Sequence, residues 1–295
     1  MKYIGALLVL ALCAGAPVFA QDATNLPLVG VLRINGPDTV EPMATQFRAA
    51  LAALGRVDGR TIRLEYRLAE GHVDRFPELA QALVGENARV IVALGDPAIR
   101  AAQQATRSIP IVAMADDLVA SGLIASLARP GGNTTGISIL ATELDAKKLE
   151  ILKQIIPAAR RFGILSDPAN TVPTRRQAIA DRARTLGVEL QTVEAHGAAD
   201  ITPAFASFRA EGVEAIDILA SPLLNGLRKE LGRLSLDYRL PAICQFREGV
   251  EAGCLASYGA RLSDAFVMVA ALTDKMLKGA QPAKRQPSSR PGSSW

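Results

Sequence analysis

Val90-Ile-Val-Ala-Leu-Gly-Asp-Pro-Ala-Ile-Arg-Ala-Ala-Gln-Gln-Ala105 decides the fold. Residues 90–94 are all apolar and mostly β-branched, which suits a strand covered on both faces. Gly95-Asp96-Pro97 breaks the run, and residues 96–105 then follow the spacing of a helix with one apolar side. A strand hidden on both faces, followed at once by a helix, is the unit of a parallel sheet flanked by helices.

The unit repeats outward in both directions. Upstream, residues 28–34 read as a strand, Asn35-Gly36-Pro37-Asp38 as a turn and residues 41–54 as a helix, followed by a strand over 62–67 and a helix over 74–85. Downstream, residues 111–115 give a fourth strand. After Arg129-Pro-Gly-Gly-Asn-Thr-Thr-Gly136 a second series begins, with strands over 135–139, 161–165, 189–194, 215–219 and 242–244. Helices fall over 143–155, 175–186, 203–211 and 224–236, and a strand over 254–257 precedes a last helix over 262–277. Gly131-Gly132 reads as a tight turn carrying the chain between the halves.

Each half is an array of about one hundred residues, a common domain size. The predicted architecture is α/β: two doubly wound parallel-sheet lobes around a ligand cleft. Residues 21–134 plus 255–279 are expected in the first lobe and 135–254 in the second. Residues 280–295, rich in Pro, Ser, Gly, Lys and Arg, read as a disordered tail.

Residues 1–20 carry the marks of a secretory signal: Lys2, an apolar stretch over 4–14, and Val18-Phe19-Ala20 as a cleavage site. The expected location is therefore the periplasm, with cleavage after Ala20. Leu12 before Cys13 does not suit lipid attachment. Cys244 and Cys254 remain after cleavage, and their spacing fits either a disulfide or two buried thiols.

The net charge of +4 does not indicate nucleic acid, because Lys284, Arg285 and Arg290 lie in an acid-free tail and the body is almost neutral. The sequence contains no GxSxG, GxxxxGK[ST], HExxH or CxxC pattern, and no GxGxxG after a strand. His72 and His196 lie in polar loops. These readings predict no enzyme, no metal and no cofactor.

Ligands of open α/β sheets bind beyond the carboxyl ends of the strands. That rule nominates Asn35, Gly95, Asp96, Asp116 and Asp117 in the first lobe, and Ser166, Asp167, Asn170, Ser221 and Gln245 in the second. Hydroxyls and helix N-termini suit a carboxylate and aspartates suit an ammonium group, so a zwitterion would use both. Asp and Ser are also favoured N-caps, so capping and ligand contact are both open for each, with capping the preferred reading for Asp96.

Four stretches carry a family resemblance: residues 123–136 (Leu-Ile-Ala-Ser-Leu-Ala-Arg-Pro-Gly-Gly-Asn-Thr-Thr-Gly), Lys148-Leu-Glu-Ile-Leu-Lys153, Asp167-Pro-Ala-Asn170, and Val250-Glu-Ala-Gly253 with Ser257-Tyr258-Gly259. From about residue 28 to 280 the chain resembles the ABC transporter substrate-binding proteins related to tryptophan and tyrosine receptors, which have the type I periplasmic-binding-protein fold. The resemblance implies a monomeric receptor that delivers a small molecule, among them aromatic amino acids, to a permease and ATPase in the inner membrane. A ligand-sensing receptor that signals to a membrane partner is the alternative the sequence leaves open.

By the same resemblance, Asp117 matches the Asp of an Asp-Pro turn, with Leu118 in place of Pro, and Asn170 matches a Pro-Ala-Asn loop. Asp96 stands where Thr or a small residue is usual, Asp167 where Asn is common, and Ser221 where Asp is common. Ser166 replaces a common aromatic, which removes a stacking surface for an aromatic ligand. Relatives continue past the position of Ala283 with a strand and a helix that cross back to the second lobe, and this sequence lacks that pattern.

Overall fold

The computed structural model describes residues 26–282. The expected signal peptide and residues 283–295 of the expected tail lie outside them. The first lobe runs β1 (Leu28–Arg33), α1 (Pro37–Ala53), β2 (Arg63–Leu68), α2 (Phe76–Gly85), β3 (Val90–Leu94), α3 (Asp96–Ala105), β4 (Ile111–Ala115) and β5 (Thr134–Ser138). These strands form one parallel sheet in the order β2-β1-β3-β4-β5.

The second lobe runs α4 (Ala141–Ile155), β6 (Arg161–Ser166), α5 (Pro173–Leu186), β7 (Glu189–Glu194), α6 (Ile201–Ala210), β8 (Ala215–Ile218), α7 (Pro222–Gly226), α8 (Arg228–Asp237), β9 (Ala242–Cys244), α9 (Arg247–Ala252) and β10 (Ala256–Ser257). Its sheet is also parallel, in the order β10-β9-β8-β6-β7. The chain then returns to the first lobe as α10 (Leu262–Leu277), which packs on α1 and on β3, β4 and β5.

Position in the sheet explains the strand sequences. All of β1 and β3 is buried, matching their apolar runs. The edge strands β2, which alternates charged and apolar residues (Arg63, Glu65, Arg67), and β7, which begins and ends on a charge (Glu189, Glu194), stay partly exposed, and their charges blunt pairing with another chain. Each sheet has a core on both faces. In the first lobe Phe76, Leu83 and Ile99 fill one side, and Phe47, Leu51, Phe266 and Val269 the other. In the second, Phe205 and Phe208 meet edge to face with ring centroids 6.4 Å apart, while Leu149, Phe162 and Ile179 fill the opposite side.

Both expected lobe boundaries shift by one strand. β5 pairs with β4 from Ile111↔Thr134 to Ala115↔Ser138, so the chain leaves the first lobe after Ser138 rather than at residue 134. The turn at Gly131-Gly132 therefore leads into a strand of the first sheet instead of between lobes. β10 pairs with β9, so the return follows Ser257 and not residue 254. Periodicity identifies a strand but not its neighbour, which explains both shifts. Two passages thus join the lobes among the described residues.

Two local features also differ from expectation. The helix expected over 224–236 is broken at Leu227 into α7 and α8, and α9 was not anticipated. Cys244 and Cys254 are bridged, with Cα atoms 6.4 Å apart, which ties the end of β9 to the chain leaving α9.

Candidate ligand cleft

The carboxyl ends of β3 and β4 face those of β8 and β9 across a cavity with about 560 Å³ of empty volume, part of it open to solvent. The first lobe contributes Arg33, Leu94, Gly95, Met114 and Asp116, and the second contributes Asn170, Ala220, Ser221, Asn225 and Phe246. Ile139 of the outgoing passage and Leu262 and Phe266 of the returning helix close its side. The wall is mostly apolar, with a few polar groups converging on it, as in ordinary small-molecule sites.

Four nominated residues meet at this cavity: Gly95, Asp116, Asn170 and Ser221. Gly95 holds φ +90°, a conformation that side chains disfavour. A Cβ there would fall 2.9 Å from both Asn170 Oδ1 and Pro222 Cγ of the opposite lobe. Glycine thus lets the lobes close, and Asn170 Oδ1 accepts a hydrogen bond from the Asp96 backbone N–H at 3.1 Å. Ser221 caps α7, its hydroxyl accepting from Leu224 N at 3.0 Å.

Asp116, at the end of β4 in the first lobe, is held by groups of the second. It accepts from Thr142 N at 3.1 Å and from Thr142 Oγ1 at 2.6 Å, and Arg175 Nη1 lies 3.6 Å from it. Arg175 is itself fixed in a fully buried network. Its Nε donates to Asp145 at 2.6 Å and its Nη1 to the Ala220 carbonyl at 3.1 Å, while Lys148 Nζ sits 3.0 Å from Asp145 and 2.6 Å from Asp217. Burial alone would lower the Lys148 pKa, but Asp217 and Asp145 outweigh it and hold the ammonium charged.

The remaining nominations do not line this cavity. Asn35 sits at the contact between lobes, accepting from Arg33 at 3.3 Å and donating to the Leu223 carbonyl at 3.4 Å. Asp96 lies in the first turn of α3 but is not its N-cap, a position held by Gly95, so the capping preference for it does not hold. Burial pushes its carboxyl pKa up. Asp117 is spent on its own turn, accepting from Val119 N at 2.9 Å and Ala120 N at 3.0 Å. Asp167 likewise accepts from Ala169 N and Asn170 Nδ2, and burial raises its pKa. Ser166 points to Val193 O and lines a groove beside β7 instead. In Asp117 and Asp167 the short polar side chain satisfies a nearby backbone group, the local use that competes with ligand contact. Gln245 lines a smaller cavity adjoining the main one.

Sequence reasoning missed Arg33, Phe246 and Phe266. Arg33 ends a strand that is otherwise apolar and is itself only 2% exposed. Burial lowers its pKa to about 10, so it remains a cation at neutral pH. Phe246 and Phe266 supply the aromatic surface that Ser166 does not. No group of His, Cys, Asp and Glu able to hold a metal occurs among the described residues. No helix among them is long and apolar enough to cross a membrane.

Comparisons with known proteins agree with this arrangement. The family described as ABC transporter substrate binding protein matches residues 29–292. A tyrosine-binding protein of Clostridioides difficile (strain R20291) is 26% identical over 244 residues, covering 81% of this chain and 69% of its own. The crystal structure of a conserved domain protein from Vibrio cholerae superposes with a TM-score of 0.78 at 26% identity, covering 87% of this chain and 86% of that one. A Streptococcus pneumonia ABC domain in complex with L-Trp has the same fold, with a TM-score of 0.76 at 21% identity over 88% of this chain and 87% of that one. The fold and the family match together identify a binding protein without catalysis: the chain belongs to the ABC transporter substrate-binding protein family.

Proposed function

We propose that this chain binds an amino acid in the cavity between its lobes, in the periplasm, and delivers it to an inner-membrane permease and ATPase. The observation that carries the reading is the pairing of opposite charges on one apolar wall: the buried Arg33 guanidinium and the Asp116 carboxylate, with Phe246 and Phe266 beside them. A carboxylate against Arg33 offsets the penalty of burying that cation, and an ammonium group suits Asp116. The two rings offer a flat apolar surface for the side chain. The names of the tyrosine-binding relative and of the L-Trp complex agree with that chemistry.

A thermal-shift screen of the twenty amino acids tests the proposal. A ligand that binds only the folded state must raise the transition, by an amount corresponding to about 2.7 kcal/mol at one hundred times its Kd. If no amino acid raises the transition at millimolar concentration, the amino-acid reading fails.

A further inference from the structure

Adjoining the cleft at Ala220, Asn225 and Phe246 is a second cavity, with about 330 Å³ of empty volume, part of it open to solvent. It lies wholly in the second lobe, between the ends of β8 and β9 and helices α7, α8 and α9. Its other walls are chiefly apolar, including Ile218, Leu224 and Leu231. Besides Arg228, Gln245 is the exception. It is 3% exposed, and neither Oε1 nor Nε2 has a hydrogen-bond partner. Buried amides left unbonded at both atoms are rare and costly in folded proteins.

The amide is also held in place. Gln245 follows Cys244, whose disulfide to Cys254 anchors this end of β9. Gly259 packs so closely that a Cβ there would lie 2.6 Å from Gln245 Cγ. A rigid side chain presenting one donor and one acceptor into an apolar cavity is the arrangement expected of a specificity determinant.

We propose that Gln245 forms a second subsite of the cleft, reading a carboxamide at the far end of an elongated ligand. This rests on the amino-acid reading of the main cavity and adds the chemistry of the ligand's other end. A carboxamide complements the Gln245 amide with two hydrogen bonds, its carbonyl accepting from Nε2 and its N–H donating to Oε1. Arg228 also borders the cavity but donates to the Asn225 carbonyl at 3.0 Å.

The test compares three probes with one head group: L-phenylalanine, 4-carbamoyl-L-phenylalanine and 4-carboxy-L-phenylalanine. Each is titrated calorimetrically into the wild type and Gln245→Met. In the wild type the carbamoyl probe binds at least about tenfold tighter than L-phenylalanine, the yield of two net hydrogen bonds. In Gln245→Met that preference falls to about twofold or less, L-phenylalanine affinity is kept, and the unliganded melting temperature is not lowered. Equal binding of the first two probes, or a preference that survives in Gln245→Met, overturns the subsite. A preference for the carboxylate assigns the cavity to Arg228 instead, and a lowered unliganded melting temperature makes the amide structural. If none of the probes binds, the subsite falls, and the twenty-amino-acid screen decides separately whether the amino-acid reading falls with it.

Discussion

Asn170 of the second lobe accepts a hydrogen bond at 3.1 Å from the backbone N–H of Asp96 in the first, at the start of α3. The bond closes the cleft directly over Gly95, and it brings the lobes nearer there than any residue with a Cβ allows. Lobe closure and the cavity wall therefore depend on the same few atoms.

Gly95→Ala tests that dependence. The added Cβ meets Asn170 and Pro222 at 2.9 Å, and the φ of +90° disfavours any side chain. We expect ligand affinity to drop about tenfold or more, because closure is penalised by about 1 to 3 kcal/mol. Calorimetric titration with the ligand found by the screen measures this. Unchanged affinity would mean that the closed arrangement is not the binding form.

Asp117→Ala separates a turn residue from a ligand contact. Its carboxylate already accepts from Val119 N and Ala120 N. Losing those bonds should cost about 1 kcal/mol of stability in chemical denaturation and leave affinity unchanged. A large affinity loss without a stability change would return Asp117 to the site.

Lys148→Met leaves Asp145 and Asp217 buried without their shared cation. We expect destabilisation of about 3 to 5 kcal/mol, and much less than the sum of single effects in Lys148→Met with Asp217→Leu. The sign of the pH dependence follows from the raised pKa of Lys148. Its contribution is fully present below the ordinary lysine value of about 10.4 and is lost as pH rises through the higher folded value. Burial already pushes the Asp217 carboxyl up to about 6, and loss of its cation pushes it higher. The gap between wild type and Lys148→Met should therefore widen as pH rises through neutral and narrow only above about 10. A gap that closes near neutral pH would show that the lysine is not charged in the fold.

Reduction of the Cys244–Cys254 bridge, which spans a sequence separation of 10, should lower stability by about 2 to 3 kcal/mol. In a protein of this size that corresponds to a fall in melting temperature of about 3 to 6 °C. An unchanged melting temperature in reductant would contradict a role for the bridge in holding β9 and α9 together.

Much of this fold is legible in the sequence because buried parallel strands must be apolar throughout, as residues 90–94 and 111–115 are. Which sheet a strand joins is not legible, and β5 and β10 both changed lobes for that reason. The site was legible only in part. Strand ends were located correctly, but a short polar residue there reads the same whether it caps a turn, as Asp117 and Asp167 do, or faces the cavity, as Asp116 and Asn170 do. The aromatic walls came from Phe266, inside the returning helix α10, and from Phe246, which lies just past the end of β9 but carries no polar group to mark it. Arg33 did carry a signal: a lone charge in a strand covered on both faces needs a reason, and the cavity supplies one.

The most direct test of the central claim, that the Arg33 and Asp116 cavity holds a zwitterionic ligand, is native mass spectrometry of the protein with each amino acid added. The comparison is between the wild type and Arg33→Met, which keeps the bulk of the side chain and removes its charge. The account predicts a single bound amino acid on the wild type, lost from Arg33→Met although that variant remains folded. An adduct equally abundant on both proteins would contradict it, as would a wild type that binds none.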